Sequence, residues 1–511
     1  MSAEGGDLPP GWACVALADI TRPRSGKIAP QGVPDAPYIG MEQVESQTMR
    51  LIGTVPSGTM KSAANAFQAT DVLYGRLRAY LNKVHQPDFA GLCSGEFIVL
   101  PESVALRGRF LKYRLNAGDF VHFASHLNTG DRPRVDFEQI GGFVMVLPPP
   151  AEQERIADAL DELFSDLDAA VAALERVRAK LKLYRASVLK AAVEGALTRD
   201  WREQHPDAEP ASQLLQRILA ERRRRWEEDQ LAKFKTKGIA PPLNWRAKYR
   251  NPVATTVADR SNMPESWLAV SVDQLLAAPI VNGLSVRGSD HPPGVRALRL
   301  SAMSDSGFDY SAVRYLPLAS ESVEDIAIRA GDFFVSRGNG SKHLVGRGTL
   351  AQEPSVAVIF PDTMMRIRVL EGDVSKRWLP TVWPSATIRR QIEKAAKTTA
   401  GILKISQPDL AGITIPLPPL AEQEAVVELV EDQLSVIDHL EADLDAKVES
   451  AQALRQAILR RAFAGKLVPQ DPNDEPAAEL LKRIAAERAG SVPARPAAKR
   501  RGAATAKAAA S

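Results

Sequence analysis

The stretch Leu147-Pro148-Pro149-Pro150-Ala151-Glu152-Gln153-Glu154 returns 270 residues later as Leu417-Pro418-Pro419-Leu420-Ala421-Glu422-Gln423-Glu424. The correspondence runs on without a gap through Val188 and Ile458, Gly195 and Gly465, and Leu197 and Leu467. Prolines stop a preceding strand and suit a helix's first turn, where the missing N–H needs no partner. Glu152 and Glu154 then lie near the positive end of the helix dipole. Beyond them, apolar or small residues fall at 156, 160, 163, 167, 170, 174, 177, 181, 184, 188 and 191. The steps alternate four and three, the period of a coiled coil, for about five heptads. Gly195 is the expected stop. The second copy repeats the seam at Val426, Val430, Ile437, Leu440, Leu444, Ala451, Leu454 and Ile458. It meets Gln433 and Lys447 where apolar residues are due, and Leu434 and Val448 next door are expected to fill in.

In front of each helix lies a segment with α+β punctuation: short β-rich runs such as Glu96 to Leu100 and Phe143 to Leu147, split by Gly and Pro, with helical pieces such as Arg109 to Asn116. The two segments open alike, Leu8-Pro9-Pro10-Gly11-Trp12 against Met263-Pro264-Glu265-Ser266-Trp267. They share Asp71-Val72-Leu73-Tyr74-Gly75-Arg76 against Asp332-Phe333-Phe334-Val335-Ser336-Arg337, and Arg134-Val135 against Lys404-Ile405. Between these landmarks they diverge. A short amphipathic helix around Ala211 to Trp226 also repeats, Glu209-Pro210-Ala211 matching Glu475-Pro476-Ala477. The expected order is therefore a mixed domain (1–147), a long helix (148–198), a short helix and linker (199–262), a second mixed domain (263–416), a second long helix (417–468) and a short helix (469–490). A basic, Ala-rich tail (491–511) is expected to be disordered.

Composition narrows the class. The 511 residues suit several structural units rather than one domain. A net charge of +3 carries no global basic signature, so nucleic-acid binding must rest on local Lys and Arg. Two cysteines, Cys14 and Cys93, fit a reducing cytosol better than a disulfide framework, which points to a cytoplasmic protein. No apolar run approaches the roughly 18 residues that span a bilayer.

Two helices with matching seams in one chain should pair, since an exposed seam is unfavourable. A seam of about 36 residues is on the order of 54 Å long. Residue pattern alone leaves parallel and antiparallel pairing open. Duplex DNA suits a doubled domain-and-helix unit, because paired recognition modules read half-sites about 34 Å apart.

The repeated Pro-Pro-x-Ala-Glu-Gln-Glu, the Gly331-to-Arg337 turn and the order domain–helix–domain–helix together resemble the specificity subunit of type I restriction–modification systems. The resemblance covers nearly the whole chain. The family motif is usually Leu-Pro-Pro-Leu, and the first copy departs from it with Pro150 in the last place. The resemblance implies an α+β fold: two target recognition domains alternating with two long helices that pair as an antiparallel coiled coil, in a pseudo-twofold internal repeat. It implies a non-catalytic DNA-binding subunit that reads a bipartite, asymmetric double-stranded DNA target. It also implies two methyltransferase subunits docked on the helices, with S-adenosylmethionine in those partners and no cofactor in this chain, and translocase/nuclease subunits for restriction.

Candidate DNA contacts follow from side-chain chemistry. In the first domain they are Arg76, Arg78, Tyr80, Asn82, Lys83 and Arg134. Arg pairs bidentately with guanine and Asn with adenine, while Lys more often meets phosphate. Arg78 and Asn82 are the preferred base readers; Arg76, shared by both halves, suits backbone positioning or a structural pair with Asp71. In the second domain the polar, Gly-bearing turn offers Arg337, Asn339, Ser341, Lys342 and His343, with Lys404 beside it. Arg222 to Arg225, followed by Trp226, is the densest basic cluster, for DNA or a partner subunit. No His-Glu-x-x-His, zinc-type cysteine pattern, phosphate loop or Asn/Asp-Pro-Pro-Tyr/Phe is present. The competing readings are a coiled-coil scaffold joining two protein-binding domains and an enzyme with duplicated catalytic domains.

Overall fold

A computed structural model describes residues 8–128, 130–255, 263–399 and 401–490. The chain divides into two compact units: Met1–Leu174 with Asp445–Ser511, and Glu175–Leu444. Unit 1 thus joins the first mixed domain to segments from the far end of the chain. The N-terminal tail, the end of the linker and the 491–511 tail expected to be disordered lie outside the described residues.

Each mixed domain is closed by an antiparallel strand pair that joins its beginning to its end. In unit 1, Ala13–Ala16 pairs with Val144–Leu147, Ala13 facing Leu147. In unit 2, Leu268–Ser271 pairs with Thr414–Leu417, Leu268 facing Leu417. Unit 1 then builds a three-stranded sheet on the buried strand Val72–Gly75, between Val84–His85 and Phe97–Leu100. A five-stranded sheet contains one parallel pairing, Pro37–Ile39 with Gly91–Cys93. Unit 2 builds a four-stranded sheet around the buried strands Phe333–Ser336 and Met364–Ile367. It adds a small sheet of Gly338–Asn339, Ile402–Lys404 and Lys397–Thr399.

The long helices run from Pro150 to Val193 and from Leu420 to Phe463. Each ends in a left-handed glycine, Gly195 (φ 69°) and Gly465 (φ 66°). Ala196 N–H donates to Ala191 O and Lys466 N–H to Arg461 O, closing the same helix-ending turn twice. A Cβ on Gly195 would stand 2.5 Å from Pro264, and one on Gly465 2.4 Å from Pro9. The helix end therefore needs glycine for conformation and for close approach.

Within each unit one helix half runs antiparallel to a half of the other. In unit 1, Ile156, Leu160 and Phe164 share a core with Leu459 and Ala462. In unit 2, Val188, Leu189 and Ala192 share a core with Val426, Val427 and Val430. Burying each large side chain of this kind stabilises by about 1.5–3 kcal/mol. The heptad period is as expected, but every second seam position falls one residue later. Phe164, Val171, Arg178 and Arg185 turn inward or half inward, while Leu163, Val177 and Tyr184 stay 39, 45 and 53% exposed. The second helix shifts identically, using Glu441 and Arg455 and leaving Leu440 and Leu454 exposed. Leu434 and Val448 fill in as expected. Arginine stems can line an apolar seam while their heads reach outside it. Arg455 pairs with Asp168 and lies 4.3 Å over the Phe164 ring, whereas Arg185 pairs with Asp438 and Glu441. Counting apolar letters cannot find such positions.

The first short helix is longer than expected, Ala211–Thr236, and its counterpart spans Ala477–Gly490. Their docking is the same: Ala211 N–H donates to Ser266 O and Ala477 N–H to Gly11 O. Among the described residues no helix is long and apolar enough to cross a membrane.

Candidate nucleic-acid interface

The repeated motif is a joint between mixed domain and helix. Glu152 is fully buried and accepts from Trp12 Nε1 (2.9 Å) and Gln470 Nε2 (3.2 Å). Glu422, equally buried, accepts from Trp267 Nε1 (2.8 Å), Thr198 Oγ1 (2.7 Å) and Arg202 Nη1 (2.5 Å). Gln153 takes the amide of Arg107 and gives to the carbonyls of Ala105 and Pro148. Gln423 takes the amide of Ser375 and gives to Pro418 O. A charged salt link adds a second brace: Arg109 on Asp161 in unit 1, Arg377 on Glu431 in unit 2. Each mixed domain is thus pinned to its helix by the same buried hydrogen bonds.

The joint holds a second repeated feature in place. Arg76 N–H donates to Glu96 O (2.8 Å), and its carbonyl accepts from Val135 N (3.0 Å). Arg337 N–H donates to Thr363 O (2.8 Å), and its carbonyl accepts from Ile405 N (2.9 Å). The shared arginine therefore marks a crossing where the turn after a central strand meets the segment bearing Arg134 or Lys404. Of the two roles open to Arg76, backbone positioning or a pair with Asp71, the pair is not formed. Asp71 instead pairs with Arg24 and caps Gln68 N, as Asp332 pairs with Arg368 and caps Arg329 N. A longer-range arginine, Arg24, fills the place.

After the crossing the two units differ. In unit 1, Arg78 is exposed with φ 54° and donates its N–H to Pro133 O. Tyr80 is 50% exposed, and Arg134 is exposed and paired with Glu96 at 3.0 Å. Asn82, expected to read a base, is 3% exposed with φ 42°, and its backbone carbonyl receives Gln47 N–H. As placed it braces the turn and offers no edge to a ligand. Lys83 is also turned inward, Nζ on Met41 O at 2.5 Å. Among the described residues the non-glycine positive-φ positions are Gln47, Met49, Arg78 and Asn82, all on these two adjoining turns. Such conformations cost about 1–3 kcal/mol each and collect where function holds them. The helix Gly118–Ser125 packs beside the Ala79–Leu81 turn and presents His122. His126, just beyond it, lies 4.2 Å from His122 between ring centroids.

In unit 2, Gly338–Asn339 pairs with Leu403–Lys404. Asn339 Oδ1 accepts from Ser341 N (3.1 Å), so that side chain shapes the turn. Arg337 is half-buried with Nη1 on Asp362 O (3.4 Å). Lys342 is exposed and paired with Glu393 (3.1 Å); His343 is exposed. Lys404 is exposed and sits opposite Lys397 across the strand pair. Sequence reading missed Lys397, because its partnership appears only once the Lys397–Thr399 and Ile402–Lys404 strands are seen to pair. Two like charges placed directly opposite are unfavourable alone and favourable against an anion. The structure thus brings Arg76, Arg78, Tyr80 and Arg134 together in unit 1, and Arg337, Asn339, Ser341, Lys342 and Lys404 together in unit 2.

The arginine run at 222–225 is neutralised: Arg222 on Asp273, Arg223 on Glu227, Arg224 on Glu221 and Glu228, Arg225 on Glu221. Among the described residues no His/Cys/Asp/Glu group could hold a metal ion, and both cysteines are free. Burial pushes the Cys93 thiol up to about 12, so it is inert.

No family model matches the chain. It is 26% identical over 416 residues to the type I restriction enzyme EcoKI specificity subunit of Escherichia coli K12, covering 79% of this chain and 76% of that one. It is 24% identical over 507 residues to the EcoDI specificity subunit of Escherichia coli, covering 96% and 98%. Over most of its length the chain is similar to type I restriction enzyme specificity subunits. The fold agrees with a solved chain from work on complex assembly and conformational transition of the type I R-M system, with TM-score 0.59, 18% identity, and coverage of 90% of this chain and 100% of that one. The repeated joint holds two unlike polar surfaces on one kind of mount.

Proposed function

We propose that this subunit reads a bipartite, asymmetric duplex-DNA target, one half through each mixed domain. On this reading it directs adenine-N6 methylation, and restriction, by partner subunits. The observation that carries the reading is the contrast between the joints, which repeat the same tryptophan–glutamate and glutamine–amide hydrogen bonds, and the surfaces beyond them, which do not match. A mount must match if geometry is to be equivalent; reading surfaces must differ if two half-sites are to differ. In unit 1 Arg78 is the base reader, with Arg134 on phosphate; in unit 2 Lys404 and Lys342 meet phosphate and Arg337 positions the turn. The long helices set the gap between half-sites. Their exposed Leu163, Val177, Val436 and Leu454 suit docking of two methyltransferase subunits. The chain itself performs no chemistry; S-adenosylmethionine belongs to the methyltransferase partners, which take the adenine out of the stack to modify it. The work is done where the DNA is, in the cytoplasm.

Co-expression with the cognate methyltransferase, followed by genome-wide mapping of methylated adenines, tests this. A split asymmetric motif is expected. The scaffold reading predicts no such motif, and binding to duplex DNA that is indifferent to sequence and salt.

A further inference from the structure

The insertion after the first long helix takes no part in the reading surfaces. Its helix, Ala211–Thr236, is anchored in the unit 2 core by Ala211, Leu214 and Ile218 and tied by Arg222 to Asp273 at 2.9 Å. Beyond that point it leaves the core. An aromatic cluster then holds its outer turns to the returning chain. Trp226 stacks on the buried Trp245 (5.8 Å between centroids) and meets Tyr249 edge-on (5.3 Å); Phe234 meets Trp245 edge-on (6.1 Å). The tip is therefore a fixed structure.

Beyond Asp229 its charge is one-sided. Between Asp229 and Asp259 the sequence has no carboxylate side chain, but it has Lys233, Lys235, Lys237, Arg246, Lys248 and Arg250. All six are exposed. Arg246 reaches back to Glu227 at 3.2 Å. No ion pair involves the other five among the described residues, in contrast to the answered arginines at 222–225. The dipole of the helix end accounts for Lys233 and Lys235. It reaches Lys237, the capping residue, but does not account for Lys248 and Arg250, which lie on the returning chain.

We propose that this tip is a second DNA site, gripping the phosphate backbone outside the half-site read by unit 2, without regard to sequence. The inference rests on the DNA reading above. Like charges fixed on one scaffold repel one another until an anion joins them. A duplex supplies one negative charge per about 1.7 Å of axis, so it meets such a cluster in any register. An acidic protein face would need carboxylates spaced to match two separate runs of chain. The sequence repeats the composition: after the second short helix, 491–511 is free of acid and carries Arg495, Lys499, Arg500, Arg501 and Lys507.

The test compares the full chain with its K233Q/K235Q/K237Q/K248Q/R250Q variant by fluorescence anisotropy across a salt series. One duplex carries the target with about two helical turns, roughly 20 base pairs, on either side; the other is blunt at the half-sites. On the long duplex the slope of log affinity against log salt should fall by about 0.9 for each phosphate no longer neutralised, up to about 4.5. The blunt duplex and the preference for target over scrambled DNA should not change. The K237Q/K248Q/R250Q subset, outside the helix, should reduce the slope by up to about 2.7, and it guards against misfolding of the larger variant. An unchanged slope on the long duplex overturns the tip site while leaving the DNA reading intact. Loss of methyltransferase co-purification with an unchanged slope assigns the tip to a protein partner and overturns it too. Wild-type chain that shows no salt-dependent binding overturns the DNA reading itself.

Discussion

The Trp12–Glu152 joint and the Trp267–Glu422 joint use the same atoms, while the turns after Arg76 and Arg337 share only a backbone crossing. The difference teaches where the chain is constrained. At the joint a tryptophan must meet a buried carboxylate at the helix start, and a glycine must end the opposite helix against a proline. Each requirement is met by one residue type, so both copies kept it. Past the crossing, unit 1 makes a turn of strained non-glycine residues and unit 2 makes a strand that joins a small sheet. A shared mount with unlike ends is what a reader of two different half-sites needs.

The largest effects should come from breaking the joint. Trp12→Ala and Trp267→Ala each remove a buried indole and leave a buried carboxylate short of a donor. Each should destabilise its own unit by about 3–5 kcal/mol. Urea melts followed by hydrogen exchange of each unit check this, and exchange that rises equally in both units for a single variant would break the claim that the joints act separately. The next effect down separates the reading surfaces. Arg78→Ala should relax discrimination at one position of one half-site by about 1–3 kcal/mol. Lys404→Ala should weaken all sequences alike and lower the salt slope by about 1. If Arg78→Ala proves indifferent to sequence, the strained turn is structural and the base reader lies elsewhere in unit 1.

Much of this was legible without coordinates, for a physical reason. Joint and helix obey local rules, proline before a helix, glycine after it and a heptad between, so Pro148 to Gly195 could be read and matched to its copy. The seam was half legible. Its alternate positions moved by one residue because Arg185 and Arg455 enter it on their aliphatic stems, which hydropathy reading scores as surface. The candidate sites were least legible. Asn82 has a base reader's chemistry, but a left-handed backbone buries it. Asp71 sits near Arg76 in sequence, yet its partner Arg24 is 47 residues away. Lys397 gained significance only from a pairing that no local signal announces.

The smallest expected effect lies at a charge asymmetry between the joints. Gln470 and Arg202 hold equivalent places, each donating both to the glycine carbonyl at a helix end and to the joint's glutamate. One is neutral and one charged. Glu422→Gln should therefore leave the Arg202 guanidinium short of its counter-charge and destabilise unit 2 at neutral pH. Glu152→Gln removes a charge that burial disfavours, since burial holds the Glu152 carboxyl above the usual carboxylate range despite its bonds from Trp12 and Gln470. The sign follows from linkage: the folded state binds this proton more readily. The group's contribution is thus fully present below the unfolded value, about 4.3, and lost as pH rises through the raised folded value. The neutral amide has no such loss, and Arg155 keeps its partner Asp474 at 2.6 Å. Melting temperatures of wild type and Glu152→Gln, followed upward from about pH 4, should move in favour of the variant across that window. A difference independent of pH would mean that Glu152 stays ionised throughout and that the two joints are electrostatically alike.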